Sequence, residues 1–244
     1  MRLARALGIL AMLLAVSAAR ADTITDFTFP TVTGADNSGL PYQPGFAGYD
    51  PTTVASGAQV TGIMPGSGLT GTVAIELFNY TSPVLRIDAL GSTTTLSSSV
   101  AANRYFDFTV TPEQGSTLSL ESLSFQTARG GGSTPRGFGV FSSETGTAIG
   151  DELFALDIPT TRPTLTDSMI DLTAAEFQGL SGPISFRFNV FAPGGGQTLE
   201  FDNIVLAGTV TAIPEPASVA LLALLGSVAA AGAVVCHRRR RHCR

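Results

Sequence analysis

The chain has 244 residues, of which 44% are apolar and only 14% charged, with 27 Gly and no Trp. That is material for one medium all-β domain with terminal segments, not for a helical protein. The net charge of −5 hides a segregation: residues 22–216 carry six Arg against all 19 carboxylates, a net of −13, which excludes phosphate-backbone binding and makes nucleic acid no partner.

All basic residues are Arg, because Lys is absent. Both Cys (Cys236, Cys243) and both His (His237, His242) lie at the C-terminus. The stretch before them therefore has no disulfide, no thiol or Lys nucleophile, no Ser-His-Asp triad and no His/Cys zinc site. Carboxylate chemistry, as in glycoside hydrolysis, is the enzymatic option left.

The N-terminus reads as a signal peptide over 1–21. Arg2 and Arg5 form the charged region, residues 6–18 the apolar region, and Ala19-Arg20-Ala21 the small-x-small site, so Asp22 begins the mature chain. Signal peptidase and the Sec export machinery are the implied partners.

Residues 22–212 read as the β domain. Ile24–Phe29 predicts a first strand with Ile24, Asp26 and Thr28 on one side. The stretch 34–72 reads mostly as loop, punctuated by Pro41, Pro44, Pro51 and Pro65-Gly66. Alternation then predicts strands over 72–78, 84–90, 104–110, 138–142, 184–191 and 199–210. In the runs Leu118–Phe125 and Leu199–Val210 the apolar phase changes midway, near Asp202-Asn203 in the second, which predicts a β-bulge or a tight bend in each. A helical turn is expected over 172–178, with Thr173 as N-cap and Glu176 three residues on. The sum is a β-sandwich or jelly roll, with Phe106, Phe108, Phe125, Phe186, Phe188, Phe201 and Ile204 between two sheets.

Three groups of polar residues are candidate sites. Asp202 and Asn203 are placed to cap a bulge by bonding backbone amides. Arg129, Arg136, Arg187, Ser142, Ser143 and Glu144 are placed on loops or an outward face. There they serve a sugar site, which without Trp must stack on Tyr42, Tyr49, Tyr80 or Tyr105, or else surface ion pairs. Glu144, Asp151, Glu152 and Asp157 form an acidic cluster whose competing readings are a glycosidase pair and a solvated loop.

The segment 213–244 has three parts in order: Pro214-Glu215-Pro216, the uncharged apolar run 217–235, and Arg238-Arg239-Arg240-Arg241. Nineteen residues make a helix of about 28 Å, enough to span a bilayer core, and the Arg cluster holds that end in the cytoplasm. The two prolines deny the chain a helix just outside the membrane.

This arrangement resembles the PEP-CTERM sorting signal of Gram-negative bacteria. The resemblance implies an exosortase that recognises Pro214, Glu215 and Pro216. It also implies an inner-membrane-anchored precursor, and a final place at the cell surface, outer membrane or extracellular matrix, among exopolysaccharide or biofilm. The domain resembles a recurrent passenger of this signal, similar to galactose-binding-type jelly rolls. The pieces that carry this are ITDF at 24–27, YFDFTVTP at 105–112, LSLESLSF at 118–125, FGVFSS at 138–143, ISFRF at 184–188 and FDNIVLAG at 201–208. In such jelly rolls an acidic residue at Asp202 helps hold Ca²⁺ with groups near Asp26. The expected function is a non-enzymatic, exported surface or matrix protein. The alternatives are a lectin-like carbohydrate-binding module and a carboxylate glycoside hydrolase.

Overall fold

The computed structural model describes residues 22–31, 39–69, 75–79, 82–88, 93–131, 136–158, 161–162, 164–192 and 197–213. The signal segment with Ala19 and Ala21, Tyr80, and the tail from Pro214 to Arg244 lie outside them. No helix among the described residues is long and apolar enough to cross a membrane.

The described residues are mostly strand. In chain order these are β1 (Asp22–Phe27), β2 (Leu40–Pro41), β3 (Thr53–Val54), β4 (Ala58–Val60), β5 (Met64–Pro65), β6 (Ile75–Asn79) and β7 (Pro83–Asp88). Then follow β8 (Tyr105–Pro112), β9 (Ser116–Gly130), β10 (Gly137–Ser142), β11 (Phe154–Asp157), β12 (Thr166–Asp171), β13 (Ile184–Phe191) and β14 (Thr198–Ala212). One sheet runs β12-β9-β14-β7-β6-β2, with β1 paired to β14 and β3 to β1; the second runs β11-β10-β13-β8-β4, with β5 on β8. Every pairing between these strands is antiparallel.

The two sheets meet through phenylalanines. Phe188 of β13 stacks on Phe106 of β8 at 4.7 Å and meets Phe125 of β9 edge-on at 5.4 Å and Phe201 of β14 at 5.8 Å. Phe27 reaches Phe108 across the interface at 5.1 Å, and Phe138 reaches Phe201 at 5.1 Å. All seven residues expected between the sheets are buried. Edge-on aromatic pairs add to simple area burial because ring edges and faces carry opposite partial charge.

At both phase changes the structure has a bulge rather than a tight bend. On β9 the register skips Glu121, and on β14 it shifts between Asp202 and Val205 with Asn203 at φ 48°. Asn tolerates this left-handed backbone better than most residues. A third bulge in β1 was not expected. The register shifts between Thr23 and Thr25, so Ile24 and Phe27 are both buried while Asp26 is not, which overturns the simple alternation of Ile24, Asp26 and Thr28.

The region 34–72, which reads mostly as loop, contributes β2–β5 and two 3-10 turns among the described residues. The helical turn expected at 172–178 shrinks to a 3-10 turn at Ala175–Phe177 with Ala174 as N-cap. Thr173 instead bonds the Asp171 carboxylate through its N–H and hydroxyl, an Asx-type turn that competes with capping. One helix went unpredicted: α1 (Leu96–Ala101), closed by a reciprocal capping box between Thr95 and Ser98. It docks on β13 and β10 because Gly139 leaves room; a Cβ there would lie 2.6 Å from Leu96 Cδ2.

Phe188→Ala should cost about 3–5 kcal/mol, since it removes the ring shared by both sheets. Met169→Ala, at 69% exposure, should stay within about 0.5 kcal/mol. Urea denaturation of residues 22–213 checks both, and similar midpoints for the two variants would contradict this packing.

Candidate functional site

The outward face of the first sheet holds two polar regions, separated by the β14 bulge. Along β14 the inward residues Leu199 and Phe201 alternate with Thr198, Glu200 and Asp202, which face away from the core yet are 2–8% exposed.

The first region is a charge network that sequence reasoning did not assemble. Glu76, Arg86 and Glu200 stand in one cross-strand row over β6, β7 and β14. Arg86 forms an ion pair with Glu76 and lies 3.6 Å over the Phe78 ring. Arg162 reaches over from the segment after Ile158 and pairs with Glu200 at 2.9 Å. Burial pushes the Glu200 carboxyl up, against the pull of Arg162, Arg86 and Arg136. The signal for this row was a charged residue at an outward position in each of IELF, LRID and LEFD.

Arg136 was expected on a surface loop. It is instead fully buried at the start of β10, where its guanidinium donates to the carbonyls of Gly130 and, at 3.3 Å, Thr198. Those carbonyls belong to β9 and β14, so Arg136 ties the second sheet to one end of the first. Burial and the nearby Arg129 lower its pKa, and Glu200 offsets part of this. A guanidinium survives there because carbonyl partners replace water.

The second region is a shallow groove of about 400 Å³ beside the bulge. Asp202, Gln126 and Asp167 stand opposite one another on β14, β9 and β12. The Asn203 amide donates to Gln126 Oε1 at 2.7 Å, and Gln126 Nε2 donates to Asp167 Oδ1 at 2.8 Å. The next row is Asp26, Val205, Ser124 and Met169. The result is an open surface of amides, hydroxyls and carboxylates around two apolar side chains.

Asp26 and Asp202 thus share one face. Asp202 Oδ1 accepts the N–H of Asn203 at 2.8 Å, the bulge-capping role, while Asp26 Oδ1 is buried without a hydrogen-bond partner. Among the described residues no group of three or more acidic, His or Cys side chains converges on one point. Asp26 and Asp202 would supply two carboxylates to the 6–8 oxygens that calcium takes, with carbonyls and water completing the set.

The remaining candidates are dispersed. Arg187 covers the Tyr105 ring at 3.8 Å on the outward face of the second sheet, beside Asp107, whose carboxyl burial pushes up and Arg187 draws down. Tyr49 is buried, and its hydroxyl donates to the Leu40 carbonyl at 3.1 Å. Tyr42 packs edge-on against Tyr49. Arg129 donates to the Thr161 hydroxyl. Ser142 and Thr145 bond within the turn after β10, and Ser143 accepts the Ser185 N–H. Asp151 and Glu152 accept backbone N–H groups of Ala148 and Gly150, while Asp157 lies on β11 opposite Gly137 and Glu144 is exposed. Asp151 and Glu152 therefore organise the turn that precedes β11.

No family model matches the chain, and no curated protein matches it. Solved structures of low identity resemble it. A carbohydrate-binding module solved with β-1,4-galactotriose has 14% identity, covering 62% of this chain and 88% of that one at a TM-score of 0.32. A mannan-recognising carbohydrate-binding module has 10% identity, covering 78% and 99% at a TM-score of 0.39. A cleaved adhesin domain of Lys-gingipain from Porphyromonas gingivalis has 12% identity, covering 77% and 99% at a TM-score of 0.36. Likeness at this level says nothing about a ligand.

The buried carboxyls set a pH response. Burial raises the folded-state pKa of Asp107, Glu200 and Asp202. The folded state then holds these protons more tightly than the unfolded one. Their charge opposes folding at neutral pH, and stability rises as pH falls toward the ordinary carboxylate range. The urea midpoint should be higher at pH 5 than at pH 7.5, and Asp202→Asn, which keeps an acceptor for Asn203, should raise it at pH 7.5 and flatten the slope. A midpoint that Ca²⁺ raises in the wild type but not in Asp202→Asn would instead assign Asp202 to a cation.

Proposed function

We propose that this chain is an exported, non-enzymatic component of the cell surface or extracellular matrix, sorted through an exosortase by the signal at 213–244 and associated with exopolysaccharide or biofilm. The observation that supports this best is where the last strand ends. β14 ends at Ala212, two residues before Pro214, and Asp22, the residue after the expected cleavage site, already lies on β1. Asp22 stands opposite Gly208, so both ends of the domain leave from one end of the first sheet. Signal peptidase and the Sec machinery handle the first end; the membrane and the exosortase handle the second. The sandwich between them is a jelly-roll passenger, acidic and soluble enough to extend from a surface.

The groove at Gln126, Asp167 and Asn203 favours a second reading, a lectin-like carbohydrate-binding module. Amides and carboxylates on a rigid sheet pair with sugar hydroxyls, and Val205 with Met169 offers apolar contact. Nothing in the geometry favours a glycoside hydrolase, since Asp151 and Glu152 are engaged in their own turn.

In a host that carries an exosortase, Glu215→Ala should leave the domain as stable as wild type while its membrane-bound, higher-mass form accumulates. Identical processing of the two chains would reduce the motif to a linker. A glycan array of residues 22–213 should show binding that Gln126→Ala abolishes if the second reading holds.

A further inference from the structure

The outward face of the second sheet carries polar side chains in register. β13 and β8 bring three pairs to that face in consecutive rows: Ser185 with Thr109, Arg187 with Asp107, and Asn189 with Tyr105. The residues between them, Phe186, Phe188, Phe106 and Phe108, are fully buried in the core. Rows recur at every second residue, so the three span about 14 Å along the strands. Ser185, Arg187, Asp107 and Thr109 are half-buried, open to solvent above the sheet. The Ser185 and Thr109 hydroxyls satisfy each other at 2.7 Å. The next two rows are not closed in this way.

Asn189 is 2% exposed, and its side-chain Oδ1 is buried without a hydrogen-bond partner. Arg187 Nε is buried without one too. Arg187 and Asp107 stand directly opposite, yet no ion pair joins them. The Arg187 guanidinium lies instead over the Tyr105 ring, 3.8 Å from its centroid. Gly66 packs against the same ring, where a Cβ would fall 2.5 Å from Tyr105 Cε1. Tyr105 is therefore a prop that holds the guanidinium in place, not a free stacking platform. Leu96 of α1 packs on Gly139, the residue opposite Asn189 on β10, and walls off that side. On the other side Met64, 49% exposed, stands opposite Asp107. A buried acceptor left unpaired is costly, and native structures keep few of them without a use.

We propose that this face binds a neutral glycan: the Asp107 carboxylate accepts from its hydroxyls, the Arg187 guanidinium donates to the oxygens beside them, and the Asn189 amide completes the contact at the floor. A hydroxyl both donates and accepts, so neighbouring hydroxyls suit a fixed donor facing a fixed acceptor. One guanidinium against one carboxylate leaves the site without net charge. The surplus of carboxylates over residues 22–216 repels polyanions, and Arg187 at the centre repels an ammonium group. A peptide strand cannot add here, because β8 and β13 are paired on both edges. The site lies on the sheet opposite the groove at Gln126 and is independent of the sorting signal.

Titration of the full chain in detergent with linear hexasaccharides tests this. The neutral probes are hexamers of glucose, mannose, galactose and xylose; the charged ones are hexamers of glucosamine and galacturonic acid. At least one neutral hexamer should bind with a Kd of about 1 mM or tighter. Asp107→Asn and Arg187→Lys should each weaken it about tenfold or more, since Lys cannot reproduce the stacked, forked guanidinium. Asn189→Leu should weaken it as well, while its urea midpoint stays at or above that of wild type, because an unpaired buried oxygen has been removed. Gln126→Ala, on the first sheet, should change nothing. Binding lost in Gln126→Ala but kept in Asp107→Asn would move the glycan to the groove, overturning this site and leaving the lectin-like reading intact. Tighter binding of either charged hexamer would overturn the ligand class. A lower midpoint for Asn189→Leu at unchanged affinity would make Asn189 structural and overturn its role. Failure of every neutral hexamer to bind would overturn this site and the lectin-like reading together.

Discussion

The fold depends on the ladder between β9 and β14. Each strand is 15 residues long, and they pair along their whole length. β9 gives its other edge to β12. β14 divides its other edge between two partners: β7 along Thr198–Phe201 and β1 along Ile204–Gly208. The bulge at Asn203 falls between them. A bulge adds local twist and bends the strand, so one strand can serve two partners that do not lie in line. Every other element of the first sheet reaches its place through this pair.

Much of this was legible because buried strands carry strict alternation. Ile184–Phe191 is read at once, since Ile184, Phe186, Phe188 and Val190 face one core. The two bulges were legible too: where alternation breaks without a turn residue, the chain must insert a residue to keep its apolar side inward. What stayed hidden was the edge. β12 reads TDSMID, and its burial alternates weakly because one edge and much of one face meet solvent. α1 reads LSSSVA, poor helix formers, and forms because Thr95 and Ser98 close its first turn reciprocally and Gly139 makes room for Leu96. Ser98 stands where a Glu or Gln is the usual cue.

The site residues were less legible for a related reason. Whether a charged side chain at an outward strand position meets water depends on what crosses over it. Arg136 sits among Gly, Ser, Thr and Pro, the composition of a loop, yet two strand-end carbonyls draw it inside. Glu200 is outward by alternation and buried by Arg162, which arrives from a distant segment. Asp202 was legible as a bulge cap because its neighbour is Asn. Removing one partner from such a network leaves a buried charge uncompensated, so these groups constrain one another more than they stabilise the fold.

The strand that organises the sheet is also the last strand among the described residues, and its two halves differ in hold. From Leu199 to Leu206 β14 is fixed by core burial and by neighbours on both edges. From Thr209 to Ile213 it is fixed by β9 and the Gly115 carbonyl. Native-state hydrogen exchange on residues 22–213 tests this division most directly. The account predicts that the bonded amides of β14 up to Leu206 exchange only with global unfolding, while the Ile213 amide and those of 209–212 exchange orders of magnitude faster through local opening. Equal protection along the whole strand would contradict it.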